Sequence, residues 1–138
     1  MSALERVAVL LALIERLRQV MAEENNCIKR MRIDDIGELQ EEKRLLAEAY
    51  EKELRGFRAN ASVMAELSIE ARLTLQEAMR ELQLAVRRNT DTLRAAKTVI
   101  ERMLRRVSEG LGTTSMMGYG PLTARQAEVI PMAFDRQI

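Results

Sequence analysis

Histidine and tryptophan are missing from these 138 residues, which hold one cysteine, two prolines, two tyrosines and two phenylalanines. Each scarcity removes a class of structure or chemistry. Without histidine the chain lacks the commonest general base and the commonest neutral metal ligand. No Cys-x-x-Cys pair, glycine-rich phosphate loop or metal-ligand cluster makes up for it, so no enzyme, cofactor or metal centre is expected. Cys27 stands alone and cannot close an internal disulfide. Set between Met21 and Met31, it reads as a small, buried or half-buried side chain in a reducing compartment. With aromatics at 3%, a thick aromatic-rich core is not expected either.

Long apolar runs are also absent. The first, Val7 to Ile14, is eight residues long, against the roughly 20 that cross a bilayer. Glu5 precedes it and Glu15-Arg16-Leu17-Arg18 follows, without the basic start or small-residue cleavage site of a secretory signal. The sequence therefore predicts a mature cytoplasmic chain with no membrane span. Nor does one sign of charge dominate: 22 Lys and Arg face 21 Asp and Glu, for a formal net charge of +1. That balance suits interspersed solvent-facing helix surfaces and names no acidic or basic partner. An antiparallel pairing of two long helices would gather Arg16, Arg18, Arg102, Arg105 and Arg106 at one end, a cluster able to touch phosphates. Interspersed glutamates and the lack of stacking aromatics favour a solvated helix face, and no nucleic-acid partner is expected.

What the chain does have is helical periodicity. Ser2 with Glu5 forms a capping-box pattern, after which Leu10, Ile14, Leu17, Met21, Ile28 and Met31 recur at heptad-like spacing, with Glu24 in the missing slot. Between Met31 and Ile36 the spacing slips by one residue, and Asp34, Asp35 and Gly37 lower helix propensity, so a kink, bend or break is expected near Gly37. Asp34 and Asp35 point about 100° apart on a helix and read as solvated charges, or as caps of a second segment starting near Ile36. Ile36, Leu39, Leu46, Tyr50 and Phe57 continue the seam, with Lys43 and Glu53 filling the gaps. Gly56 and residues 58–62 mark the turn. The next seam runs through Met64, Leu67, Ala71, Leu75, Ala78 and Leu82, then through Asn89, Leu93, Ala96, Ile100, Met103 and Val107. Asn89 reads as a register-fixing polar residue, since no other polar group is seen to converge on it, with a partner contact as the alternative.

These seams predict an all-α fold, a long antiparallel helical hairpin or coiled-coil bundle with a partly ordered C-terminal tail. The hairpin covers residues 1–108, with helix one over about 3–57, either continuous or broken near Gly37, and helix two over about 61–108, placing Leu17 near Glu101 and Met31 near Arg87. Residues 109–138 hold both prolines and four of the six glycines, yet keep many apolar side chains. A capping-box pattern at Thr123 to Gln126 predicts a short helix over 124–130. The tail's apolar residues suit docking, on the chain's own hairpin or on a partner.

A leucine-rich amphipathic first half, the acidic step from Asp35 through Gly37 and Lys43 to Leu46, Asn89 and Leu93 on a later helix, and Tyr119-Gly120 in the tail together resemble the FlgN family of flagellar type III export chaperones. The resemblance implies a cytoplasmic helical protein that binds the amphipathic C-terminal helices of hook-associated subunits at the hook-filament junction and delivers them to the export apparatus. It also implies client contact late in the chain, at Leu93, Ile100, Met103, Leu104 and Val107, with Met116, Met117 and Tyr119 as a movable cover. The same helices suit two alternatives: a sibling chaperone or stalk component of the export system, and a homodimeric coiled-coil scaffold or regulator.

Overall fold

The computed structural model describes residues 1–111, excepting the Leu111 side chain. It is all helical. Helices α1 (Ala3–Lys29), α2 (Ile36–Ala59), α3 (Ala61–Glu66) and α4 (Ile69–Leu111) follow in order, with a 3-10 turn at Ile33–Asp35. No helix among the described residues is long and apolar enough to cross a membrane. The predicted short helix over 124–130 lies outside them.

The fold is the bundle of the two predicted forms, and its path differs from a two-helix hairpin. Helix one does not run to residue 57. It stops at Lys29 and the chain reverses before α2, ahead of Gly37, which lies in the first turn of α2 with open space around it. Asp35 occupies the N-cap position of α2 without a side-chain cap hydrogen bond. At the other end, Asn60 closes α2 and a single short helix intervenes. Ser68 then starts α4, its Oγ accepting from the Ala71 amide at 3.1 Å. Three main helices result, because helix one is split in two and its second part starts at Ile36, the alternative that the Asp34–Asp35 capping pattern left open.

Helix α1 is the central element. Both α2 and α4 pack along it; α2 and α4 bring no Cα atoms within 8 Å of each other and meet through the Lys43 and Asn89 side chains. Burial follows: Leu10, Ile14, Leu17, Val20 and Met21 on α1 are each at most 2% exposed. α2 runs antiparallel to α1: Lys43 meets Glu24 near the turn, and Gly56 lies beside Arg6 at the far end. α4 runs parallel to α1, since Arg18 meets Glu81 at 3.1 Å and Asn25 meets Asn89 at 2.9 Å. The expected neighbours Leu17–Glu101 and Met31–Arg87 therefore do not form. The capping box is present, with the Glu5 amide donating to Ser2 Oγ and the Ser2 amide to Glu5 Oε2.

Tyr50, Leu54 and Phe57 fill the end of the bundle opposite the α1–α2 turn together with Ala3 and Val7. Burial pushes the Tyr50 hydroxyl up to about 12, with Arg58 opposing. The folded state thus holds this proton where the unfolded chain releases it. Stability is expected to fall as pH rises from about 10, the unfolded value, towards 12. Melting temperatures of the native chain and Tyr50→Phe across that range check this, because the variant lacks that part of the decline.

Candidate functional site

The α1–α2 turn is built by backbone hydrogen bonds. The Arg32 amide donates to Cys27 O at 2.8 Å and the Met31 amide to Ile28 O at 3.1 Å, the paired bonds of a Schellman C-cap. Such a cap needs a left-handed residue, here Met31 at φ 57°, the one non-glycine residue with positive φ among those described. A methionine there costs about 1 kcal/mol relative to glycine. Its side chain is 59% exposed and forms part of an apolar wall. Met31→Gly is expected to raise stability by up to about 1 kcal/mol in chemical denaturation, while removing apolar surface from that wall.

That wall bounds a half-open groove of about 360 Å³ between the α1–α2 turn and α4. Ile28, Met31, Ile33 and Ile36 line the turn side; Thr92, Ala96, Val99 and Ile100 line the α4 side. The groove marks where α4 leaves the bundle. From Arg94 to Gly110 no α4 residue is fully buried. The helix runs roughly 16 Å beyond Ile100, at 1.5 Å per residue. Val99, Met103 and Val107 continue the apolar line outward at 46%, 50% and 39% exposure.

Beneath the groove sits a sealed polar layer. Glu24 from α1, Lys43 from α2 and Asn89 from α4 each interrupt an apolar seam, and the fold brings these three together. Lys43 Nζ donates to Glu24 Oε1 at 2.6 Å and to Asn89 Oδ1 at 3.0 Å, and Asn89 Nδ2 donates to Glu24 Oε1 at 2.8 Å. Glu24 and Lys43 are 0% exposed and Asn89 2%. Other polar groups do converge on Asn89, contrary to the sequence reading. Burial holds the Lys43 ammonium below the usual lysine range, with Glu24 opposing. A layer this well covered, joining one side chain from each of three helices, suits the setting of their register and presents no surface to a partner. Glu24 Oε2 and the Gln40 amide remain buried without hydrogen-bond partners among the described residues.

The expected arginine cluster does not assemble. The parallel course of α4 separates Arg16 and Arg18 from Arg102, Arg105 and Arg106. Arg16 instead grips Glu42 through Nε and Nη2 at 2.6 and 2.9 Å, holding that carboxyl below its usual range. Among the described residues no group of three or more cysteines and carboxylates could hold a metal ion.

Of the client-contact residues expected from the family resemblance, Ile100 lines the groove; Met103 and Val107 lie on the exposed stripe; Leu104 is half-buried beside it. Leu93 is 1% exposed and belongs to the bundle interior. Met116, Met117 and Tyr119 lie outside the described residues. The turn-side wall was missed by sequence reasoning. Ile28, Met31 and Ile36 carried its signal as seam positions, but a continuous helix would have pointed them at an antiparallel partner. The chain matches no protein-family model, no curated protein and no solved structure.

Proposed function

We propose that this protein is a cytoplasmic export chaperone of the FlgN type, which receives the amphipathic C-terminal helix of a hook-associated flagellar subunit and delivers it to the type III export apparatus. The observation that supports this is the open apolar groove at the α1–α2 turn, continued by the exposed stripe of α4. An incoming helix presenting apolar residues at three- and four-residue spacing fits such a groove. Its affinity comes from leucine- and methionine-rich surface removed from water, at roughly 25 cal/mol per Å² before ordering costs are subtracted. No catalysis, nucleotide, metal or nucleic acid belongs to this role. Exposed Met31 and Met103 suit it because methionine adapts to differently shaped clients.

The test uses the purified full chain mixed with hook-associated subunits, intact and with their C-terminal helices removed, followed by size-exclusion chromatography. A complex is expected with the intact subunits and none with the shortened ones. Absence of any complex, or one indifferent to the truncation, rules the reading out. Self-association in the absence of clients instead favours the homodimeric scaffold or regulator. Binding to other components of the export system favours a sibling chaperone or stalk component.

A further inference from the structure

The charges around the groove are less balanced than those of the whole chain. At 100° per residue, Arg102 and Arg106 border the Val99–Met103–Val107 line of α4 on one side, and Lys97 borders Ile100 and Leu104 on the other. Across the groove, Lys29 forms part of the wall, and Arg30 and Arg32 are exposed on the turn. Lys97 has a loose partner in Glu101 at 3.8 Å. Arg102, Arg106, Lys29, Arg30 and Arg32 make no ion pair among the described residues, as is also true of Arg55, Arg87 and Arg88 elsewhere on the surface. The local counter-charges are Asp34, Asp35 and Glu38 on the turn side, which offset its cations, and Glu101 and Glu109 on α4, where Arg105 leaves the cations in excess. An apolar groove whose α4 rim carries excess cations is selective.

We infer that the groove takes an amphipathic helix whose apolar face is flanked by carboxylates, so that hydrophobic contact supplies affinity and the basic α4 rim supplies register and discrimination. This rests on the reading of the groove as a helix receptor and names the chemistry of its occupant. Complementary charge speeds encounter and rejects wrong partners, because like charges brought together cost several kcal/mol. A second copy of this chain meets that penalty, since an isologous contact would set arginine rims against each other. The chain's own residues 112–138 carry Arg125, Glu128, Asp135 and Arg136, a balanced set with no acidic excess to match the α4 rim. A lipid surface is flat, whereas this site is a channel between two walls.

The experiment titrates the full chain into three labelled helical peptides of about 18 residues, long enough for five helical turns. They share one apolar face and carry Glu, Gln or Lys along its flanks. The Glu peptide is expected to bind about tenfold more tightly than the Gln peptide, with the advantage shrinking as salt shortens the screening length. Arg102→Glu/Arg106→Glu is expected to reverse the order of the Glu and Lys peptides, its melting curve confirming an intact fold. Equal affinity for the Glu and Gln peptides overturns the charge inference while leaving the groove a helix receptor. Failure to bind any of the three overturns both. Binding to phosphatidylglycerol vesicles that the Glu peptide does not displace assigns the face to lipid and also overturns it.

Discussion

Lys43→Met is expected to cost about 3–5 kcal/mol of stability, the largest effect of any single change at an interior polar position. The reason is the carboxylate left behind. Glu24 is 0% exposed, and without the ammonium its Oε1 keeps only the Asn89 amide at 2.8 Å, while Oε2 already has no hydrogen-bond partner. Removing one partner of a sealed ion pair strands the other charge in a poor dielectric. In a chain of this size a loss of that order lowers the melting temperature by roughly 10–20 °C. The triple replacement Glu24→Leu/Lys43→Met/Asn89→Leu removes all three groups at once and is expected to regain native stability or exceed it by about 1–4 kcal/mol. Thermal melts of both variants check the pair of outcomes. A single variant within about 1 kcal/mol of the native chain would mean that water reaches the layer in solution.

The second large effect concerns the stripe. Val99→Asp/Met103→Asp is expected to weaken client binding about 100-fold, near 3 kcal/mol, because two central apolar anchors become charged groups that binding must dehydrate. Both side chains are about half exposed in the free chain, so the cost to folding should stay within about 0.5 kcal/mol per site. Calorimetric titration with a hook-associated subunit, beside a denaturation curve, separates the two quantities. Client binding unchanged by the double substitution removes the stripe from the proposed interface.

Periodicity carried the all-α fold because apolar spacing reports directly on which residues face inward. It also located the discontinuity: the spacing slip between Met31 and Ile36 is where the chain turns. What it could not convey was the size of the turn. A reversal depends on Met31 adopting φ 57°, and a methionine carries no local signal for a left-handed conformation as a glycine would. The break expected near Gly37 falls just before it, with Gly37 itself in the first turn of α2. The site was affected by the same ambiguity. Ile100, Met103 and Val107 were recognisable as stripe residues, but the opposite wall exists only because α1 and α2 fold back beside a parallel α4. Asn89 shows the gain from three dimensions most clearly, since Glu24 and Lys43 were each visible as gaps in separate seams and only packing makes them one group.

The order of contacts along the chain bears on how the molecule is made. Glu24 and Lys43 lie 19 residues apart, whereas Glu24 and Asn89 lie 65 apart. Closing the longer loop costs about 1 kcal/mol more in chain entropy, and on the ribosome α4 emerges last. The α1–α2 pair can therefore associate while the side of α1 that receives α4 is still bare, with the Lys43 ammonium already beside its carboxylate. Asn89 then arrives as the closing member of the layer. Until it does, the central helix presents Leu17 and its neighbours to the cell, which makes the interval before α4 docks the period of greatest exposure to proteolysis and misassociation.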